Sequence, residues 1–370
     1  MHDAFPQKTK AKLMPRKVLI LGAGKIGGAI VDLLHGSGAY EIALADSNTT
    51  FLNQAGGERA AIHAIDVSDR ASLLKAAQGK DAVLSALPFF LNPGVAEVCA
   101  EVGAHYFDLT EDVETTRAVR AIAKTSKVAF APQCGLAPGF ISIVANHLAN
   151  GFDQLREVHM RVGALPEFPA NALKYNLTWS TDGLINEYCN PCEAIHEGKL
   201  TEVMPMEGLE HFSLDGIDYE CFNTSGGLGT LCETLDGKVE SLNYKTVRYP
   251  GHCDIMKMLL EDLRLKERRG LLKDILETSV PITQQDVVLI FVVVTGIRDG
   301  RLTQESYAKK IYAQVIGDKL MSAIQITTAA GITAMVDLFF DGKLPSQGFI
   351  RQEQCDMGDF LENRFGRYYA

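Results

Sequence analysis

Residues 16–27 read RKVLILGAGKIG, and this stretch decides the fold. Residues 16–21 make a short apolar strand that runs into Gly22, Gly24 and Gly27. The residues beyond, Ile30, Leu33 and Leu34, fall at helical spacing. With 33 glycines in 370 residues a lone G-x-G-x-x-G match carries little weight, so the flanking strand and helix are what make this one specific. In that setting Gly22 permits the tight turn, Gly24 lets a pyrophosphate approach the backbone, and Gly27 lets helix and strand pack closely. Lys25 and Ile26 open the helix, whose free N–H groups and positive dipole end suit phosphates. The next strand, residues 41–45 (EIALA), ends on Asp46, 19 positions after Gly27, where a carboxylate accepts hydrogen bonds from an adenosine ribose. Ser47 and the three residues after it (SNTT) include no Arg to hold a 2′-phosphate, so NAD is expected ahead of NADP.

Working outward, strands and helices alternate. Residues 60–65 make a third strand ending at Asp66 and Val67, where Rossmann proteins flank the adenine. Ser68 is placed to cap the following helix, which turns Leu73, Leu74 and Ala77 inward. Residues 81–86 (DAVLSA) make a fourth strand, and Ala86, Leu87 and Pro88 at its end leave room beside the phosphates and nicotinamide ribose. A helix over 95–102, a strand over 105–109 (HYFDL) and another over 127–130 follow, before the Pro/Gly-rich residues 132–139 that contain Gly135. This rhythm means a doubly wound parallel sheet, a Rossmann domain, over residues 1–138. After about residue 150 the rhythm changes. Short strands are expected at 157–163, 175–179 and 240–247, with a buried strand at 287–295 (VVLIFVVVT). Residues 139–344 are therefore expected to form an α+β domain for substrate binding and dimerisation. Its apolar helix-period segment, residues 323–340, makes a homodimer or larger homo-oligomer the expected state. The tail, residues 345–370, is expected to return and pack on the first domain.

Net charge is -10 and no basic cluster stands out, which argues against nucleic acid as a partner. The first fifteen residues lack the apolar run of a signal peptide, and no window holds about 18 uninterrupted apolar residues. A cytoplasmic protein with no membrane partner and eight reduced cysteines is expected. Cys189 and Cys192 form a single CxxC without the second pair a zinc ribbon needs, so no metal is expected. The small-residue run 224–230 (TSGGLGT) lacks the Gly-Lys-Ser/Thr ending of a P-loop.

Six segments carry a resemblance over nearly the whole chain: LGAGKIG at 21–27, SALPFFLN at 85–92, YFDLTED at 106–112, CGLAPGF at 134–140, TWSTDGLINEY at 178–188 and KTVRYPGH at 245–252. Together they resemble the saccharopine dehydrogenase-like oxidoreductases, and within them most of all the lysine 6-dehydrogenase members. That resemblance implies hydride transfer from an amine-bearing carbon to a nicotinamide. It implies an amino-acid substrate, L-lysine, oxidised to 2-aminoadipate 6-semialdehyde, which cyclises to piperideine-6-carboxylate. A saccharopine- or opine-type dehydrogenase acting on a secondary amine is the alternative, and would need a second carboxylate anchor at Lys245 or Arg161. A dinucleotide-binding sensor without chemistry is a third possibility.

The site residues follow from those roles. Arg248 is expected to anchor the substrate carboxylate, since its planar fork suits a bidentate contact; its other reading is a surface ion pair. Asp108, with Thr110 and Glu111 beside it, either takes up an amine proton or caps a helix starting at Thr110. Trp179 either walls the aliphatic stem of the substrate or belongs to the core. Ser180 either donates to the substrate or faces solvent. His252 is either a proton shuttle or structural. Tyr249 and Thr224 complete the expected substrate-binding set.

Overall fold

The structure, a computed structural model, describes residues 15–370. The leader expectation concerns residues that lie almost entirely outside it. Six strands come first: β1 (Arg16–Leu21), β2 (Tyr40–Asp46), β3 (Ala61–Ala64), β4 (Ala82–Ser85), β5 (His105–Asp108) and β6 (Ala129–Ala131). They lie in the order β3-β2-β1-β4-β5-β6 with every neighbour parallel. Five helices connect them: α1 (Lys25–Ser37), α2 (Thr49–Ala55), α3 (Arg70–Ala77), α4 (Asn92–Val102) and α5 (Val113–Ala123). Leu21 stands opposite both Ala45 and Ser85, so β1, β2 and β4 end level at the point where the strand order reverses. Ligands of open parallel sheets bind at that edge.

Two helix starts differ from expectation. Asp69, not Ser68, caps α3, because the Ser68 backbone and hydroxyl both bond back to Asp66. The helix after β5 begins at Val113 rather than Thr110, capped by Asp112 Oδ1, which accepts from Thr115 N at 2.7 Å.

The second half opens with α6 (Phe140–Ala149), β7 (Gln154–Pro166), α7 (Thr181–Cys189), β8 (Cys192–His196), β9 (Lys199–Val203), β10 (Glu210–Leu214), β11 (Ile217–Asn223) and α8 (Leu231–Leu235). It continues through β12 (Ser241–Arg248), α9 (His252–Lys257), α10 (Arg269–Ser279), β13 (Asp286–Arg298), β14 (Arg301–Tyr312), β15 (Gln314–Ile316) and β16 (Lys319–Met321). Its main sheet runs β10-β11-β12-β7-β13-β14 and is antiparallel except for the β12–β7 pair. Residues 175–179 are not a strand. They make one isolated bridge, Leu177 to Ile282, and the Asn176 side chain bonds Pro281 O at 3.1 Å, so no ladder extends.

The long apolar helix α11 (Ala323–Phe340) packs against α1 on one side and β13 on the other, so the two sheets share one continuous core. By composition α11 is long and apolar enough to cross a membrane, with mean hydropathy 1.5, but 83% of it is buried within the chain. Beyond it, β17 (Gly348–Phe349) adds to the free edge of β6 in parallel, and α12 (Met357–Glu362) follows. Asp337 of α11 ties this tail to the first domain: it accepts from Tyr40 Oη at 2.7 Å, Asn363 Nδ2 at 2.8 Å and Arg364 Nε at 3.0 Å.

Candidate active site

The glycine turn after β1 has the shape of a phosphate cradle. Gly22 has φ +93°, and a Cβ there would stand 2.7 Å from the Ala86 carbonyl oxygen. A Cβ on Gly27 would fall 1.8 Å from the Gly22 carbonyl oxygen, so only glycine permits this approach of helix to strand. Above Gly24 there is open space, and α1 begins with no side-chain cap and no acid in its first turn. Its first N–H groups are therefore available to an anion. Lys25 is exposed beside them and Ile26 is half-buried. Asp46 closes the turn, its Oδ2 accepting from Ala23 N at 2.6 Å and its Oδ1 from Asn48 N at 2.7 Å. Ser47 is exposed next to it. Asp66 is exposed and its carboxylate turns back onto Ser68, whose hydroxyl and N–H hold the carboxyl below its usual range, while Val67 packs on the core. These features fit a dinucleotide laid along the ends of β1, β2 and β3.

A cavity of about 310 Å³ continues from this crevice into the second domain. Ile26, Ala86, Leu87, Pro88 and Gly135 line its first-domain end, and Trp179, Ser180, Tyr244, Thr246 and Arg248 line the other. Strand alternation explains which residues arrive. On β12, Tyr244, Thr246 and Arg248 face the cavity, as do Val162 and Ala164 of the adjacent β7. Lys245 and Arg161, paired across the same two strands, belong to the opposite face. Both are engaged there: Lys245 with Glu210, Arg161 with Glu210 at 2.9 Å and with Asn243 at 2.6 Å.

Arg248 is 2% exposed and makes no ion pair among the described residues. Its Nε donates to Tyr188 Oη at 2.9 Å and its Nη1 to the Val247 carbonyl at 2.8 Å, and the guanidinium lies over the Tyr175 ring at 5.1 Å. A buried, unpaired guanidinium is costly unless an anion joins it.

Two carboxylates share the cavity. Glu187, near the end of α7, is buried, and burial raises its carboxyl well above the usual range, with Glu111 adding and Arg248 opposing. Glu111, just past β5, is pushed up to about 7 by burial first, with Asp112, Asp108 and Asp182 adding. A third acid, Asp182, is held by Lys273 at 2.6 Å. Ser180 Oγ accepts from Gly183 N at 3.1 Å and so caps α7 at the cavity wall.

With this geometry in view, comparisons with known proteins are specific. Residues 18–130 match the saccharopine dehydrogenase NADP binding domain, and residues 135–366 match the saccharopine dehydrogenase C-terminal domain. The chain belongs to the saccharopine dehydrogenase family. It is 24% identical over 279 residues to saccharopine dehydrogenase [NADP(+), L-glutamate-forming] of Saccharomyces cerevisiae, covering 70% of this chain and 59% of that one. It is 24% identical over 223 residues to the mitochondrial alpha-aminoadipic semialdehyde synthase of Mus musculus, covering 54% of this chain and 24% of that protein. This family member thus spans about a quarter to three-fifths of the length of these relatives. Its fold is that of apo histidine-tagged saccharopine dehydrogenase (L-Glu forming) from Saccharomyces cerevisiae, with TM-score 0.78 at 17% identity over 94% of this chain and 96% of that one.

Five residues expected at a saccharopine-dehydrogenase-type site stand outside the cavity lining, and each is explained by its partners. Asp108 is fully buried and accepts from Tyr106 Oη at 2.5 Å and from Thr110 N and Gln133 N at 2.9 Å each. Burial pushes its carboxyl up to about 6 against those three bonds, and its role is to tie the end of β5 to the turn after β6. Thr110 Oγ1 accepts from Asp112 N at 3.2 Å in the same turn. His252 is no proton shuttle. Its Nδ1 stands 2.9 Å from the Leu173 carbonyl, so Nδ1 carries the proton and Nε2 accepts from Tyr188 Oη at 3.1 Å. Burial first, then Arg248, pushes it down to about 3 and keeps it neutral. Tyr249 Oη donates to Pro166 O at 2.9 Å on the far side of the sheet. Thr224 is buried beside the crossing, in a loop where a Cβ on Gly226 would stand 2.2 Å from the Glu111 carbonyl oxygen. That loop therefore packs on the backbone of Glu111 instead of reaching into the cavity.

Glu187 carried a signal that the motif TWSTDGLINEY already contained. Gly183 and Glu187 are four residues apart on α7 and share a face, and Gly183 abuts both the Trp179 ring and Glu111.

Proposed function

We propose that this chain oxidises the terminal amine carbon of L-lysine with a nicotinamide dinucleotide, NAD by preference, yielding 2-aminoadipate 6-semialdehyde. The observation that carries this reading is the unpaired, buried Arg248 facing the same cavity as two unpaired carboxylates. Arg248 is the only cation lining that cavity among the described residues, against the acids Glu111, Asp182 and Glu187. One cation and several acids suit a substrate with one carboxylate and a second amine. Saccharopine brings further carboxylates, and the two cations expected to hold one, Lys245 and Arg161, are occupied by Glu210 on the other face.

Arg248 would take the α-carboxylate with the guanidinium edge turned to the cavity. Trp179 would wall the aliphatic stem, and Leu109, Val162 and Ala164 would keep water away from it. The glycine turn and the start of α1 would hold the phosphates, and Asp46 the adenosine ribose. When bound, the dinucleotide supplies the hydride acceptor. The NAD preference rests on Asp46 and the absence of a basic residue from 47–50. The relatives' names carry NADP(+), which weighs on the other side.

Steady-state kinetics with lysine and with saccharopine, each with NAD and NADP, test this reading. Turnover of lysine to a product that cyclises supports it. Turnover of saccharopine alone, or of neither, sinks it. A homodimer formed through the outer face of the second sheet, where Phe212 stacks on Phe291 at 5.7 Å, is part of the same proposal. A monomeric wild type in sedimentation at micromolar concentration would rule the dimer out.

A further inference from the structure

Two acids line one end of the cavity, Glu187 without a side-chain partner and Glu111 with only its own backbone N–H. Glu187 is 6% exposed, and among the described residues its carboxylate takes no hydrogen bond and no ion pair. Glu111 comes from the opposite domain. Its Oε1 lies 3.0 Å from where a Cβ on Gly183 would stand, one helical turn before Glu187 on α7. Both therefore converge on one helix face beside Trp179. A buried and a half-buried carboxylate side by side are unfavourable as two like charges unless a proton or a cation offsets one of them. The surrounding groups do not offset them. Asp108, Asp112 and Asp182 push Glu111 in the same direction as burial. Arg248 opposes on the Glu187 side without pairing, and Tyr175, Tyr188, Tyr244 and Cys192 around Glu187 are neutral groups whose own pKa values are raised. Lys273 is spent on Asp182.

We infer that Glu111 and Glu187 form the amine subsite: empty, the pair holds one proton; a cationic amine displaces it; and one of the two carboxylates then removes a proton from that ammonium. In that step an N–H bond breaks and its electron pair stays on nitrogen as the lone pair. The proton forms an O–H bond on the carboxylate. One ammonium and one carboxylate become one amine and one carboxylic acid, with no change in net charge. Only the neutral amine has the lone pair that pushes hydride from the adjacent carbon. The arrangement separates the substrate's two ends: Arg248 reads the carboxylate, and the acid pair reads the far amine. It rests on the lysine reading above and assigns its base, which Asp108, held by three hydrogen bonds, does not supply.

Calorimetric titration of the full chain, saturated with NADH so that no turnover occurs, tests the subsite. Lysine and norleucine, which lacks the far amine, are titrated at pH 7.5 in two buffers of different ionisation enthalpy. Lysine should bind at least tenfold more tightly than norleucine and release on the order of one proton, while norleucine releases none. Glu187→Gln and Glu111→Gln should each lower that release while NADH affinity, the check on folding, stays unchanged. Equal binding and equal proton counts for the two ligands in wild type would overturn the inference without recourse to any variant, as would unchanged release in both variants or failure to bind lysine. Lysine that binds with proton release but is not oxidised in separate assays with NAD or NADP would leave the subsite standing and remove the proposed activity. Lysine that is oxidised without discrimination from norleucine in binding would do the reverse.

Discussion

Arg248 Nε donates to Tyr188 Oη at 2.9 Å, and because Tyr188 gives its own proton to the neutral His252 Nε2 at 3.1 Å, its oxygen is left free to accept. The Leu173 carbonyl fixes the tautomer at the far end. Two buried side chains and one backbone carbonyl thus set the plane of one guanidinium. Tyr188→Phe should loosen that plane and raise KM for lysine by about 10- to 100-fold, the worth of a hydrogen bond to a charged group, about 1.5–3 kcal/mol. NADH affinity should stay unchanged. A Tyr188→Phe enzyme with wild-type KM would show that Arg248 needs no such alignment. His252, held down to about 3 against an unfolded value near 6.5, stays neutral. Its contribution to stability is therefore present above about pH 6.5 and is lost as pH falls toward 3.

Arg248 itself is testable with two substrates. Arg248→Lys replaces a fork with a point charge and should cost about 2–4 kcal/mol in kcat/KM for lysine, roughly 30- to 1000-fold. Cadaverine, lysine without its carboxylate, should be a poor substrate for the wild type. The gap between lysine and cadaverine should shrink in the variant. An identical lysine-to-cadaverine ratio in both proteins would mean that Arg248 does not touch the carboxylate.

Cofactor choice turns on Asp46, whose carboxylate already bridges Ala23 N and Asn48 N. A 2′-phosphate there meets a like charge and no cation from residues 47–50. The wild type should show higher kcat/KM with NAD, and Asp46→Ala combined with Ser47→Arg should move preference toward NADP. Higher wild-type kcat/KM with NADP would reverse the assignment.

Glu111 should make the fold weaker as pH rises. Its folded carboxyl, at about 7, binds a proton that the unfolded chain, near 4.3, has already lost. Stability should fall between about pH 4.5 and 7 from this source and stay reduced above. Glu111→Gln should be more stable than wild type at pH 8 by on the order of 1–2 kcal/mol, discounted because the side chain is only partly buried, and no more stable at pH 4.5. Denaturant unfolding at the two pH values measures it, and a gain that does not depend on pH would assign Glu111 some other cost.

Asp337 carries the tail. Removing its carboxylate leaves Tyr40 Oη without its acceptor and Arg364 without its ion pair. Asp337→Ala should cost about 1–3 kcal/mol of stability, mostly from the lost buried hydrogen bonds, because Arg364 is partly exposed and water can solvate its charge. Protease should then cut first near residues 345–370. Unchanged protease resistance in the variant would show that β17 and the core contacts hold the tail by themselves.

The glycine turn, the acid after β2 and the strand–helix rhythm placed the Rossmann domain from the sequence alone, because each of those signals is local. A tight turn, a close helix–strand approach and a period of apolar residues all depend on neighbours within about thirty positions. The face that Arg248 occupies was within reach for the same reason, since on β12 it shares a face with Tyr244 and Thr246 while Lys245 falls on the other, but whether it would be an anchor or a surface ion pair was left open. What the sequence left open was which polar groups find partners elsewhere. Asp108, Thr110 and His252 look like chemistry in a motif, but each is satisfied by groups that folding brings to it, and a satisfied group is taken out of the site. Glu111 and Glu187 lie 76 positions apart on different domains, and only the packing of α7 against the turn after β5 brings them to one cavity and leaves neither with a cation. Local pattern decided the dinucleotide crevice; burial and pairing, which are properties of the closed fold, decided which acids face the cavity.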